Sequence, residues 1–214
     1  DDVKLSGVIA ADETFFDYSL KGNHADDFIM PRKPRKRGNQ NTIKNKHQNS
    51  ICVLCAIDTE NRSFSKIIGF GNSSGDSIVK GFENKLSDSV DVLVTDGAKA
   101  FGRSVKEYNI PRWERRPSKR LRGKRIADVS GEFHIQKVNS YHERLKRFIG
   151  NYKGVSSRRL PGYILLFDFL QNHKGEDMEY MCSKILSVMS LPSDEISYDQ
   201  LNAKYLIPVS NHGE

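Results

Sequence analysis

The chain is poor in cysteine, with three in 214 residues, which rules out a disulfide framework as the source of its stability. Cys52 and Cys55 form a C-x-x-C, but it lies within ICVLCAID (51–58), an apolar strand pattern. A spacing of three turns the two side chains to opposite faces of a strand, so they read as buried thiols rather than zinc ligands. No apolar run approaches the ~18 residues that a membrane-spanning helix requires. The opening DDVKLSGVIAADE is acidic and has no apolar h-region, so no signal peptide is expected. A cytoplasmic protein without a membrane partner is the default reading.

Acid is scarce in two further places. MPRKPRKRG (30–38) has five basic residues and no acid, and RWERRPSKRLRGKR (112–125) has eight basic residues and one acid. The chain's net charge is only +7, so everything outside these two stretches sums to a negative charge. A basic excess confined to two short segments marks a footprint for a polyanion, most simply DNA. The side chains concerned are Arg32, Lys33, Arg35, Lys36 and Arg37 in the first stretch. In the second they are Arg115, Arg116, Lys119, Arg120, Arg122, Lys124 and Arg125. Arg147 joins them from a later helix. Trp113 and Phe133 flank the second stretch and read as core packing before base stacking.

What is present is an α/β order. Strands are expected over 4–20, 51–58 and 63–71, the last two as a hairpin. A helix follows over 75–88, capped by Asp76 or Ser77, then a buried strand over 91–97 and a short helix over 98–109. A short strand near 112–116 comes next, and three helices over 133–149, 156–173 and 176–191. Residues 21–50 are polar and basic and form an insertion or long arm. Three strands followed by strands with helical crossovers match a ribonuclease H-like fold, a mixed sheet flanked by helices. The expected division is a catalytic unit over 1–175 and a C-terminal helical extension and tail over 176–214.

Two carboxylates stand out on strands. Asp12 sits in the apolar and aromatic run VIAADETFF, and Asp96 at the carboxyl end of VLVT, where open α/β sheets place ligand-binding groups. A carboxylate in a buried strand is costly unless it is paired or bound to metal. HIQKVNSYHERLKR (134–147) supplies further groups. Asn139, Glu143 and Lys146, at i, i+4 and i+7, form one stripe of a helix. An Asn carbonyl or a Glu carboxylate serves equally as a hard oxygen ligand for Mg²⁺, so the spacing leaves Asn139 and Glu143 as alternatives. Lys146 offers a point charge for a phosphate. Two metal ions clamping the attacking and leaving oxygens would complete a phosphoryl-transfer site. The plainer reading of the stripe is an exposed i,i+4 pair such as Glu143–Arg147. His134 and His142 read as structural or solvent-facing, with His142 within reach of a phosphate beside Lys146.

ADETFF (11–16), VTDGAKAF (94–101) and HIQKVNSYHERLKRFIGNYKGVSSRRLPGYILLF (134–167) together resemble the ISXO-two-like transposase domain, the catalytic domain of insertion-sequence transposases. The resemblance spans roughly 6–172. It implies a DDE-type enzyme with a ribonuclease H-like fold that cleaves and joins DNA strands using Mg²⁺, with Mn²⁺ as a substitute. Some members of that family use Asn in place of the third acid and a Lys seven positions later. Carried over residue by residue, the set is Asp12, Asp96, Asn139 and Lys146, which favours Asn139 over Glu143 as the third metal ligand. The implied partners are transposon ends and target DNA, bound by a dimer or higher assembly in the cytoplasm at the nucleoid. Family members usually carry a zinc-binding and helix-turn-helix region ahead of this domain. None precedes Asp1, so the chain is expected to be a fragment or a truncated product. The family's H-T-N reads H-I-Q at His134. The alternatives are a catalytically inactive DNA-binding derivative and a ribonuclease H-like nuclease without strand transfer.

Overall fold

A computed structural model describes residues 3–22, 50–114 and 135–190. The elements in chain order are β1 (Leu5–Asp17), β2 (Ser50–Asp58), β3 (Ser63–Phe70), α1 (Gly75–Phe82), β4 (Leu86–Thr95) and α2 (Phe101–Tyr108). They are followed by β5 (Arg112–Glu114), α3 (Gln136–Asn151), α4 (Leu160–Asn172) and α5 (Met178–Ser190). The strands form one sheet in the order β3-β2-β1-β4-β5. β1, β2 and β3 pair antiparallel, while β4 joins β1, and β5 joins β4, in parallel. This is the ribonuclease H-like topology expected from the sequence, a meander extended by crossover strands.

The sheet is covered on both faces. Ala10, Val53, Cys55 and Val94 pack beneath Val138, Tyr141 and Leu145 of α3 and Ile164 and Phe167 of α4. On the other face Ile9, Ala11, Leu54, Ala56 and Leu93 meet Ile78 and Phe82 of α1 and Phe101 of α2. Coverage on both sides explains why β2 reads as an unbroken apolar run and is buried along its whole length. Cys52 and Cys55 are buried thiols within it, and burial pushes the Cys52 thiol up to about 12. A β-carbon on Gly81 would come within 2.6 Å of Leu54 Cδ2, so the glycine lets α1 lie close on the sheet.

The helix expected over 75–88 stops at Phe82. Asn84 takes a left-handed backbone conformation, φ 60°, and Leu86, spaced as though it belonged to the helix, opens β4 instead. The cap is Ser74, whose hydroxyl accepts from the Ser77 N–H, while Ser77 caps it in return. The long apolar helix begins one residue before Pro161, so the proline falls in its first turn. Nearly all of the 21–50 arm and the basic side chains at 32–37 and 115–125 lie outside the described residues.

Candidate active site

β1 and β4 run parallel in a register that pairs Ala10 with Val94. Two residues on, in step, come Asp12 and Asp96. Asp12 continues β1 in alternation with Ala10, while Asp96 lies in the bend just past the end of β4, near enough for its charge to act on Asp12. Asp12 is largely buried, and Asp96 is exposed at the strand end. Burial and then the neighbouring Asp96 carboxylate push Asp12 up to about 7.

Asp96 is held by local turn chemistry. Its Oδ1 accepts the Ala98 N–H at 2.9 Å, and Gly97 supplies the left-handed step, φ 94°, that ends the strand. Arg112 braces this turn from β5. Its Nε donates to Thr95 Oγ1 at 2.9 Å and its Nη2 to the Ala98 carbonyl at 2.8 Å, while Nη1 pairs with Glu114 at 2.9 Å. Arg112 is therefore an internal strut, although it opens the basic stretch.

Glu13, next to Asp12, is a third carboxylate at this end of the sheet. It accepts a hydrogen bond from the Ser73 hydroxyl. Burial raises its pKa, and Asp96 adds to the rise. The sequence signal for it was present, since two adjacent acids interrupt an apolar strand run.

α3 crosses the face that carries Asp12. At 100° per residue, Val138 and Leu145 centre its buried side, and His142 lies about 40° from Val138 toward β1. His142 Nδ1 is 3.9 Å from Asp12 Oδ2, so this flank of the helix is the one that meets the carboxylate. Asn139 and Lys146 lie about 60° and 40° beyond His142 on the same flank, and Glu143 about 40° further out than Asn139. All three are exposed, as is Arg147 on the outer side. Burial, then the Lys146 charge, hold the His142 imidazole down at about 4, so it is neutral at physiological pH. His142 is thus buried against an acid rather than facing solvent. Trp113 is partly buried and packs against the core, as expected, while His134 and Phe133 lie outside the described residues.

The other flank of α3 is tied to β3. Tyr141 OH and Ser65 Oγ are 2.7 Å apart. Asp168 of α4 accepts from the Tyr141 hydroxyl, from the Ser65 N–H at 2.6 Å and from Ser65 Oγ at 3.0 Å. This buried polar knot fixes where α3 sits over the sheet, and through it where the His142 flank falls. Among the described residues, no group of three or more His, Cys, Asp or Glu side chains could hold a metal ion.

The family model for the ISXO2-like transposase domain matches residues 4–172. The chain belongs to this family. The matched segment runs from the first residues of β1 to the end of α4 and so contains the paired carboxylates and the α3 stripe. No curated protein gives a match. Among solved structures, the chain is similar to the catalytic core domain of the HTLV-2 integrase, in complex with magnesium and in a dimeric form. That similarity has a TM-score of 0.43 at 10% identity and covers 79% of this chain and 88% of the integrase core. No helix among the described residues is long and apolar enough to cross a membrane.

Proposed function

We propose that this transposase-family domain cleaves and rejoins DNA strands at the ends of an insertion sequence, with Asp12, Asp96 and Asn139 as divalent-cation ligands. The observation that carries the reading is that Asp12 of β1 and Asp96, just past the end of β4, lie near enough for the Asp96 charge to raise Asp12, in a chain whose family is that of transposases. The donor set fits a hard cation. Asp12 is driven up to about 7 by burial and by Asp96, a mutual repulsion that a bound cation relieves. A set of carboxylate and amide oxygens suits Mg²⁺ or Mn²⁺ better than zinc.

Asn139 is favoured over Glu143 because it lies nearer the flank where His142 meets Asp12. When bound, a pair of such cations supplies a nucleophile at neutral pH and stabilises the attacking and leaving oxygens of an in-line displacement. The chain's own part is to hold that geometry. Arg112 and Gly97 fix the Asp96 turn, and the Tyr141–Asp168–Ser65 knot fixes α3. Lys146 binds a phosphate of the cleaved strand as a point charge. The basic residues at 32–37 and 115–125, with Arg147, track the DNA backbone with salt-dependent and largely sequence-independent affinity. The reading also places catalysis in 1–175, with 176–214 as an appended unit. It implies a cytoplasmic, nucleoid-associated protein acting as a dimer or higher assembly.

The test is nicking and strand transfer on labelled duplex DNA with Mg²⁺ or Mn²⁺, using wild type and Asp96→Ala, Asn139→Ala and Glu143→Ala. The expected result is metal-dependent cleavage, lost in the first two variants and kept in the third. Loss in Glu143→Ala with survival of Asn139→Ala would move the ligand by one helical turn. Cleavage without joining would mark a nuclease. Salt-sensitive DNA binding without cleavage would mark a binding-only derivative.

A further inference from the structure

The side chain at 142 does not match its surroundings. Val138, Tyr141 and Leu145 on the same side of α3 belong to the core, and an apolar ring would fill the place as well. Instead there is an imidazole only 8% exposed, whose Nε2 is buried without a hydrogen-bond partner. A buried unpartnered nitrogen is unfavourable, so the polar ring asks for an explanation from its other edge. That edge, Nδ1, faces Asp12 Oδ2 at 3.9 Å. The separation is longer than a hydrogen bond, so the contact is one of packing and of dipole against charge. The ring also has a hydrogen-bonding interaction with the Asp12 main chain, so it is tied to that residue's backbone as well as facing its carboxylate.

We infer that His142 is a positioning residue, which sets the orientation of the Asp12 carboxylate and its separation from the α3 stripe that carries Asn139 and Lys146. The inference rests on the metal-site reading above. An anionic neighbour favours the tautomer with the proton on Nδ1, which leaves the lone pair on the unpartnered Nε2. The ring orients the carboxylate by packing and by its dipole, with Nδ1 3.9 Å from Oδ2. The logic is that of outer-shell groups that orient a ligating side chain, where loss of the orienting group weakens metal binding about 10- to 100-fold.

The experiment is Mn²⁺ binding by isothermal titration calorimetry on the full chain, with melting temperature recorded for each protein. The proteins are wild type, Asp96→Asn, His142→Phe and His142→Gln. Asp96→Asn is expected to lose binding. His142→Phe keeps the ring volume and is expected to keep its melting temperature or gain, yet to bind Mn²⁺ at least about tenfold more weakly. His142→Gln restores a donor and should recover affinity to within about threefold of wild type. Wild-type affinity in His142→Phe overturns the inference. If His142→Phe fails to fold, His142→Leu gives the same reading. Undiminished binding by Asp96→Asn would instead remove the metal-site reading, an outcome distinct from failure of the His142 role.

Discussion

Arg112 donates from Nε to Thr95 Oγ1 at 2.9 Å, so the edge strand β5 holds the residue immediately before Asp96. The same guanidinium reaches the Ala98 carbonyl, two residues after Asp96, so both sides of the carboxylate are braced. Arg112→Met should therefore lower stability by about 1.5–3 kcal/mol, the range for hydrogen bonds to charged groups. Arg112→Lys, which lacks the planar fork, should recover only part of it. Urea unfolding of the three proteins measures this. Equal stability of Arg112→Met and wild type would show that the brace is idle.

Asp12 links stability to metal through pH. Its folded pKa, about 7, lies above the unfolded carboxylate value, so between roughly pH 4 and 7 the native state holds a proton that the unfolded chain has released. Stability of the metal-free protein should accordingly fall as pH rises through that window, and Mg²⁺ should restore it at pH 8. Asp12→Asn should be more stable than wild type at pH 8 without metal, by on the order of 1–3 kcal/mol, while losing cleavage. Thermal melts from pH 4 to 8, with and without Mg²⁺, provide the check.

Asp168 offers a control away from the site. Burial raises it to about 6 despite three hydrogen bonds that favour its ionised form. Its contribution has the same sign, with native stability falling between about pH 4 and 6 and flat above. Asp168→Asn should remove that slope. Tyr141→Phe leaves the carboxyl short of a donor and should cost about 1–3 kcal/mol. A steeper slope in Asp168→Asn than in wild type would contradict the assignment.

Lys146 and Asn139 should separate in a paired measurement. Lys146→Gln should leave Mn²⁺ affinity unchanged, reduce cleavage about 10- to 100-fold and lower the salt dependence of DNA binding by roughly one ion. Asn139→Asp adds a negative charge to the ligand set and should tighten Mg²⁺ binding. Calorimetry showing equal Mg²⁺ affinity for Asn139→Asp and wild type would count against Asn139 as a ligand.

The sheet was legible because period-two burial and apolar runs are strong signals. β2 and β3 were expected at 51–58 and 63–71 and occur within a residue of those limits. β4 was foreseen only in its apolar second half, because LSDSV at its start is half exposed and carries no hydrophobic signature. Leu86 continued the helical spacing of α1 by coincidence, and outweighed the one stop signal, the left-handed Asn84, a residue type that favours that conformation. Asp12 stood out in the sequence because acids in apolar strands are rare, and Asp96 because it sits at a strand's carboxyl end. Arg112 and His142 were not assigned their places. A basic residue in a basic stretch gives no hint that it turns inward, and the helical spacing alone does not show that Tyr141 and His142 are both buried. Only the fold shows that they leave on different flanks, one toward Ser65 and the other toward Asp12.

The parallel ladder between β1 and β4 also acts as a ruler. Each carboxylate's place is counted out by the residues before it on its own strand, so a change in length is a different injury from a change in chemistry. Deleting one residue upstream of Asp12 in β1 would carry Glu13 onto the α3 side and Asp12 to the side of α1. The chain would still offer a carboxylate there, one methylene longer and facing His142. An insertion or deletion in the short distance between Ala10 and Asp12 would therefore turn the carboxylate away from α3, whereas one in the loops beyond the sheet would leave it in place.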